Sequence, residues 1–505
     1  MQKKLSLAVI FTFITFVVGF TFSVQAEKNQ IIIATSSDAL TLDPHMFNET
    51  PTLSINSNIF EALTEVNSKM EIVPGLAESW ENPDDLTWIF HLRRGVYFHN
   101  GDTFDAEDVV FTLNRVMNHP KSQFKSNFST ITSVRAIDPY TVEIKTEYPF
   151  PVLPRKLKSV FIYSKEYVEE HDDQYLALHP NGTGPYKLEK WVKDNVLVLT
   201  AFDKYWKGKA EIEKVVFKPI PNAATRVAAL MSGEVDILID LPVRDVEKIK
   251  KAKNIHVIAR PSLRLIFLGM NTEKGPFADL RVRKAVYHAI NEDEIVRYVM
   301  NGHAYPAGQF FPETVFGYNP EIKRLEYNPE KARELLKEAG YPDGFTITLD
   351  APNDRYVNDA QIAQAIAIQL AKVGIKVNLQ IQPKSSYFKK ILARDTDFYL
   401  LGWMNSDGDG SGTLEGLLHT PEGRYGRFNM GNYSNPEVDR LVEEAARTID
   451  PEKRLKIMQQ AVKVAIEDVA QIPLHYQEDI YAIADYVIWT PRPDKYIKAY
   501  EIKLK

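Results

Sequence analysis

The chain has 505 residues, a formal net charge of −6 at pH 7 and no cysteine. The absence of thiols excludes disulfide bonds, thiol catalysis and a lipid-modified N-terminal cysteine. The negative charge argues against nucleic acid as a partner, because the phosphate backbone attracts basic surfaces.

The N-terminal segment, residues 1–26, has the three parts of a secretory signal peptide. Two lysines lie near its start, an apolar run extends from 5 to 22, and small residues at 24–26 supply a cleavage site before Glu27. We expect a mature periplasmic chain whose net charge changes from −6 to −8 when the two lysines are removed. The alternative is an uncleaved membrane anchor, because the apolar run approaches the roughly 20 residues that span a bilayer.

The roughly 480 residues that follow exceed what one hydrophobic core usually supports, so two or three domains are expected. Strand and helix patterns alternate along the chain, which indicates α/β construction. Runs rich in β-branched, aromatic and other apolar residues predict strands at 31–34, 87–92, 96–98, 196–199, 215–217, 345–349 and 398–401. Capping side chains predict helices that begin after Asp105, Asn328, Asn435 and Asp450.

One long stretch carries a recognisable pattern. Residues 74–114 read PGLAESWENPDDLTWIFHLRRGVYFHNGDTFDAEDVVFTLN. This stretch resembles the signature of the family 5 periplasmic solute-binding proteins of ABC importers, which includes dipeptide-, oligopeptide-, glutathione- and nickel-binding proteins. Further matches follow in the expected order at 182–186 with Trp191, 226–230 with 233–236, Asn271 with 279–285, 327–332, and Gly402-Trp403.

The resemblance implies the two-lobe α/β clamshell fold of periplasmic binding proteins, with an additional inserted domain. The chain of such a protein crosses twice between the lobes. Carried onto this sequence, the segments are 27–70, 187–262 and 478–505 for lobe I, 71–186 for the inserted domain, and 263–477 for lobe II.

The resemblance also implies a non-catalytic receptor, monomeric and without a cofactor, that captures a peptide-like solute between its lobes. The receptor would then deliver the solute to an inner-membrane ABC permease. Ligand contacts both lobes only in the closed form, so binding favours closure. A binder of a non-peptide solute (an opine, an oligosaccharide or a chelated metal) is one alternative. A secreted hydrolase is another, for which the sequence offers no nucleophile motif.

Arg355 is a candidate ligand contact, because it follows the predicted strand 345–349. A guanidinium binds a carboxylate through two parallel hydrogen bonds. In dipeptide-binding members of the resembled family, an arginine at the corresponding place holds the peptide C-terminus. The alternative is a surface arginine paired with Asp354 or Asp359.

Trp403 is a second candidate, because it follows the predicted strand 398–401 and would form an apolar wall for a bound side chain. The family's Gly-Trp lines the pocket at this point, whereas packing in the core is the alternative. In dipeptide and oligopeptide binders an aspartate three residues later pairs with the peptide amine, but this sequence has Ser406 there. Either Asp407 or Asp409 takes that role, or the ligand lacks an amine that needs a counter-charge.

The run 405–410 also partly resembles an EF-hand calcium loop, because oxygen-bearing side chains alternate with glycine. The closing acid is displaced, since Gly416 occupies its position and Glu415 precedes it. We therefore predict a loop at the edge of the pocket.

None of the eleven histidines forms an H-x-x-x-H pair, so no metal site is predicted. The glycine-rich run 182–185 is wrongly spaced for phosphate and is predicted to mark the return from the inserted domain.

Overall fold

The computed structural model describes residues 29–505, so the predicted signal peptide lies outside the described residues. The strands are β1 Gln30–Thr35, β2 Thr64–Val66, β3 Ile72–Pro74, β4 Ala77–Asp84, β5 Thr87–Leu92, β6 Ile131–Asp138, β7 Thr141–Thr146, β8 Tyr186–Val192, β9 Val196–Ala201, β10 Lys214–Pro219, β11 Ile237–Leu238, β12 Ile255–Met270, β13 Ala304–Pro306, β14 Thr346–Pro352, β15 Lys376–Gln382, β16 Phe398–Met404, β17 Gln471–Ala484, β18 Val487–Ile488 and β19 Lys503–Leu504.

The helices are α1 Thr50–Asn56, α2 Ala106–Asn118, α3 Leu153–Leu157, α4 Lys165–Glu169, α5 Asp173–Leu176, α6 Ala223–Met231, α7 Val246–Ile249, α8 Leu280–Ala289, α9 Glu292–Glu294, α10 Pro329–Glu338, α11 Asp359–Ala371, α12 Lys384–Leu392, α13 Ser411–Thr413, α14 Pro436–Arg447 and α15 Pro451–Glu467. Within residues 29–505, the helices all fall short of the length and apolar character needed to cross a membrane.

An 11-stranded mixed sheet connects the two halves of the molecule. Its order is β15-β14-β16-β12-β17-β11-β1-β10-β9-β8, and β13 also pairs with β17. The long strands β12 and β17 therefore lie side by side in the middle and belong to both halves.

The pairing of these two long strands is irregular near their centre. Pro261 lies opposite Glu478, whereas the next pair is Leu265 with Tyr476. Extra residues of β12 are thus unpaired, and such bulges bend a strand locally. The predicted lobe boundaries at 262–263 and 477–478 fall at this irregularity.

The segment predicted as the inserted domain contains a four-stranded antiparallel sheet of order β4-β5-β7-β6. Helix α2 packs on it through Val109 and Leu113, which are fully buried. The helix begins as predicted after Asp105, whose side chain accepts a hydrogen bond from the Glu107 amide at 2.8 Å. The Asp108 side chain accepts one from the Asp105 amide at 3.0 Å, which completes a capping box.

The buried apolar residues form four clusters, of which the one with Ala34 and Leu238 lies in the predicted lobe I alone. One core combines strands of the predicted lobe I with the inserted domain, as in Ile33 and Phe90. Two other cores lie in the predicted lobe II, and the β2–β3 hairpin contributes Val66 and Met70 to one of them. Because most of each cluster belongs to one half, the two halves can move relative to one another about the strands that join them.

The predicted capped helices and most of the predicted strands are confirmed, but the predicted strand 96–98 is wrong. It forms an isolated bridge between Tyr97 and Thr103 rather than a sheet strand. The chain turns at Gly95 and Gly101, both with positive φ, so the segment between them is too short to extend a sheet. Val96 and Phe98 are instead buried in the core, whereas Tyr97 is exposed.

The predicted return point at 182–185 packs against the chain just after α1. A Cβ atom on Gly182 would lie 2.2 Å from the carbonyl oxygen of Ile59. The amide of Gly184 donates to that same oxygen at 2.8 Å. The glycines therefore allow two backbones to approach closely, which is a packing role.

Candidate functional site

A cleft of about 1080 Å³ lies between the two halves of the large sheet. Its walls come from all three predicted regions, for example Ser36 in lobe I, Lys156 in the inserted domain and Phe428 in lobe II. The volume exceeds the upper end of the range usual for small-molecule pockets, about 1,000 Å³. The five predicted ligand contacts all line this cleft: Arg355, Trp403, Ser406, Asp407 and Asp409.

Arg355 lies in the loop between β14 and α11. One oxygen of Asp359 accepts hydrogen bonds from the backbone amides of Arg355 and Tyr356, both at 3.0 Å, and so fixes this loop. Asp354 accepts a hydrogen bond from the Lys384 amide at 2.7 Å. Both nearby acids are thus engaged with backbone amides. Within the described chain, the exposed Arg355 guanidinium has no carboxylate within 4.0 Å.

Tyr356 supports this guanidinium. The Arg355 guanidinium carbon lies 5.1 Å from the centroid of the Tyr356 ring. The Tyr356 hydroxyl donates to the carbonyl of Gly402 at 3.2 Å. A Cβ atom on residue 402 would lie 2.5 Å from this ring, so glycine is required for the tyrosine to lie across β16.

A second arginine, Arg264 on β12, approaches the same ring and was missed by the sequence reasoning. Its guanidinium carbon lies 5.9 Å from the Tyr356 centroid. Burial and the neighbouring charge of Arg355 both lower the pKa of Arg264. The available signal was a single cation in the otherwise apolar run Leu263–Met270.

Trp403 lies within β16 rather than after it, which corrects the prediction. The strand is longer than predicted because its residues continue to pair with β12, Trp403 lying opposite Leu265. The indole is partly buried, and its ring centroid is 5.1 Å from that of Phe428. One part of this side chain therefore packs against a neighbour while the rest faces the cleft.

The loop after β16 carries the other predicted residues. Ser406 is exposed to the cleft. The Asp407 carboxylate lies 2.6 Å from the Lys156 ammonium, and the Asp407 carbonyl accepts from Arg155 at 2.9 Å. Because Arg155 and Lys156 belong to α3, these contacts join the predicted inserted domain to the opposite wall of the cleft.

Asp409 is paired inside the protein. Arg454 donates to both of its carboxylate oxygens at 2.8 Å, and the Ser411 amide donates at 2.9 Å. Burial opposes ionisation of Asp409, but the Arg454 guanidinium outweighs it and holds the pKa of this carboxyl well below its usual range. The side chain is 7% exposed, so this is a buried, two-pronged ion pair.

The acids of the 405–410 loop are therefore surrounded by cations and are not arranged as calcium ligands. Both Asp407 and Asp409 face positively charged side chains, which compete with a metal ion for carboxylate oxygens. Across residues 29–505, no group of three or more His, Cys, Asp or Glu side chains is placed to hold a metal.

The remaining carboxylates of the cleft also have partners. Asp240 lies 3.1 Å from the Lys495 ammonium, and Asp494 lies 2.8 Å from the Arg492 guanidinium. Glu49 accepts a hydrogen bond from the Thr52 hydroxyl at 2.6 Å. The cleft wall thus combines unpaired guanidinium groups with acids that are already paired or hydrogen-bonded.

The two-lobed sheet and the cleft between its halves define a solute-binding protein of the clamshell type. Residues 71–425 match the family described as bacterial extracellular solute-binding proteins, family 5 Middle. The chain belongs to this family. The predicted family and the predicted two-lobe α/β fold are thereby confirmed.

Relatives of known function match most of the chain. The glutathione-binding protein GsiB of Salmonella paratyphi A is 30% identical over 463 residues, which cover 90% of each chain. Heme-binding protein A of Haemophilus influenzae is 30% identical over 486 residues, 89% of this chain and 87% of that protein. The solved structure of HbpA2 from Haemophilus parasuis is similar with a TM-score of 0.86 at 30% identity, covering 94% of this chain and 100% of that one.

Proposed function

We propose that this protein is the periplasmic receptor of an ABC importer and that it captures a peptide-like solute with a free carboxylate. The solute enters the cleft, the lobes close over it, and the closed form delivers it to an inner-membrane permease. The observation that carries this proposal is the Arg355 guanidinium, which faces a cleft between two lobes and has no acid partner among residues 29–505. Binding, closure and release require no catalytic group and no cofactor.

The site residues have distinct roles in this proposal. Arg355 anchors the carboxylate through two parallel hydrogen bonds, and Trp403 forms the apolar wall beside it. Asp407 and Asp409 hold the loop in place through Lys156 and Arg454 rather than pairing with a ligand amine. Ser406 is then the residue of this loop that is free to contact the solute.

The ligands of the relatives support a solute with carboxylates. The names of the two relatives specify glutathione and heme. Glutathione is a peptide, heme is not, and both carry two carboxylate groups. A non-peptide solute is therefore the second candidate, and Ser406 favours it because no unpaired aspartate of the cleft faces a ligand amine.

The periplasmic location depends on cleavage before Glu27. We expect osmotic shock to release a protein whose N-terminus is Glu27, because the small residues at 24–26 suit signal peptidase. N-terminal sequencing of the released protein checks this. An intact Met1 in the membrane fraction would show an anchor instead.

The function itself is tested on protein purified from its native periplasm without denaturation. Native mass spectrometry should show a bound solute, and the solute released by acid should contain at least one carboxyl group. Calorimetry with the released solute should then show one site per chain. A released solute without any acidic group would contradict the carboxylate anchor.

A further inference from the structure

Arg264 and Arg355 are two cations that lie near one another, and the described part of the chain places no carboxylate between them. Both guanidinium groups lie within 6 Å of the same Tyr356 ring, at 5.9 and 5.1 Å from its centroid. The only hydrogen bond that the Arg264 guanidinium makes within residues 29–505 is to the sulfur of Met404 at 3.5 Å, a weak acceptor. Neither arginine has a carboxylate within 4.0 Å among the described residues.

This arrangement differs from that of the other half-buried or buried arginines near the cleft. Arg155 donates to two backbone carbonyls, Arg454 makes a two-pronged pair with Asp409, and Arg492 makes one with Asp494. Those arginines are satisfied within the protein. Arg264, although half-buried, is not.

The proximity of Arg264 and Arg355 is energetically unfavourable in the unliganded protein. Removing a cation from water is costly unless an anion or several hydrogen bonds compensate it, and a like charge nearby adds repulsion. A ligand that brings two negative charges would relieve both costs at once. Costs of this kind are retained in proteins chiefly where they serve a function.

We infer that Arg264 and Arg355 together bind a solute that carries two carboxylates, and that Arg264 sets the preference for the second charge. This inference rests on the proposed function and adds the class of solute. Arg355 binds the first carboxylate from the β14–α11 loop, and Arg264 binds the second from β12. Tyr356 lies against both guanidinium groups and orients them.

The test uses simple probes rather than the natural solute. Succinate, glutarate and adipate are compared with their monomethyl esters at constant ionic strength, by thermal melting and calorimetry. The wild-type protein should bind the best dicarboxylate at least about tenfold more tightly than its monoester, because the second charge-assisted contact is lost in the ester. Equal affinity for acid and ester would overturn the inference.

Arg264→Met tests the assigned residue, since methionine fills similar space without charge. The dicarboxylate-to-monoester ratio should fall to about one in this variant, while the unliganded Tm should stay the same or rise because an unpaired cation is removed. The matched control is Arg440→Met, on the exposed face of α14, which should leave the ratio unchanged. Arg264→Lys, which keeps the charge, should retain part of the ratio.

Three further outcomes would contradict the inference. A lower unliganded Tm in Arg264→Met but not in Arg440→Met assigns Arg264 a structural role and overturns the inference. A larger Tm rise with glycerol 3-phosphate than with any dicarboxylate assigns the site to a phosphate instead. If a released native solute has one acidic group, the receptor function stands and the two-carboxylate preference fails.

Discussion

Substitution of Arg355 should change the affinity for ligand without changing the stability of the fold. Its guanidinium contacts no acid among residues 29–505, so Arg355→Ala should leave the unliganded protein as stable as the wild type. Its affinity for the released native solute should fall by on the order of 2–5 kcal/mol, because a carboxylate is left unpaired in the closed cleft. Calorimetry with the solute measures the affinity, and thermal melting without ligand measures the stability.

A lysine at position 355 keeps the positive charge but changes the hydrogen-bonding geometry. Arg355→Lys should recover only part of the lost affinity, because an ammonium does not make two parallel hydrogen bonds to one carboxylate. Wild-type affinity in Arg355→Ala would falsify the anchor role. A large loss of unliganded stability would instead identify the side chain as structural.

Glu61 is a second residue with a specific physical consequence, although it lies outside the cleft. It is 3% exposed, and its carboxylate accepts hydrogen bonds from the Thr183 hydroxyl at 3.0 Å and the Tyr205 hydroxyl at 2.9 Å. Burial, together with the charge of Glu65, raises the pKa of Glu61 from 4.5 to about 7 against the opposing effect of Lys207.

The raised pKa of Glu61 predicts a loss of stability as the pH rises from about 4.5 to 7. In this window the native carboxyl stays protonated while the unfolded one is ionised, so the native state binds more protons. The free energy of unfolding should therefore fall by on the order of 3 kcal/mol from this residue alone. Urea unfolding at pH 4.5 and 7.5 should show that Glu61→Gln gains stability relative to the wild type at the higher pH. If the free energies of unfolding of Glu61→Gln and the wild type differ by the same amount at both pH values, the raised pKa of Glu61 would be contradicted.

Among the elements, the junction between the predicted inserted domain and the chain after α1 depends on glycine. Gly182→Ala should destabilise the protein by on the order of 3 kcal/mol, because its Cβ would meet the Ile59 backbone, which cannot rotate away. Gly412→Ala is the matched control, since no atom lies within 4 Å of its added Cβ. Thermal melts compare the two variants, and equal Tm values would show that the junction tolerates a side chain.

For the whole molecule, cores that lie mostly within one half and an irregular β12–β17 pairing predict closure on ligand. The radius of gyration from small-angle scattering should decrease when the native solute saturates the protein, because the solute contacts both lobes only in the closed form. Arg355→Ala at the same solute concentration should keep the larger radius. An unchanged wild-type radius, with occupancy verified by calorimetry, would contradict closure unless the free protein were already closed.

Local elements and the family could be predicted from the order of residues alone. Helix starts at Asp105, Asn328 and Asn435 were predictable because a capping side chain bonds amides only two or three residues away. Strand β5 matched its predicted bounds because alternation and residue type are properties of adjacent residues. The motifs that follow one another along the chain identified the two-lobe fold, because they too can be read directly from the sequence.

The tertiary structure alone decided which charged groups of the cleft are free. Asp409 is paired with Arg454, 45 residues away, and Asp407 with Lys156, 251 residues away, so neither pairing could be read from neighbouring residues. Arg264 likewise became a candidate only when folding brought β12 beside the Tyr356 ring and, within residues 29–505, placed no carboxylate within 4.0 Å of it. Free charge in a binding site is a property of the whole fold, because it depends on every group that the chain places within reach.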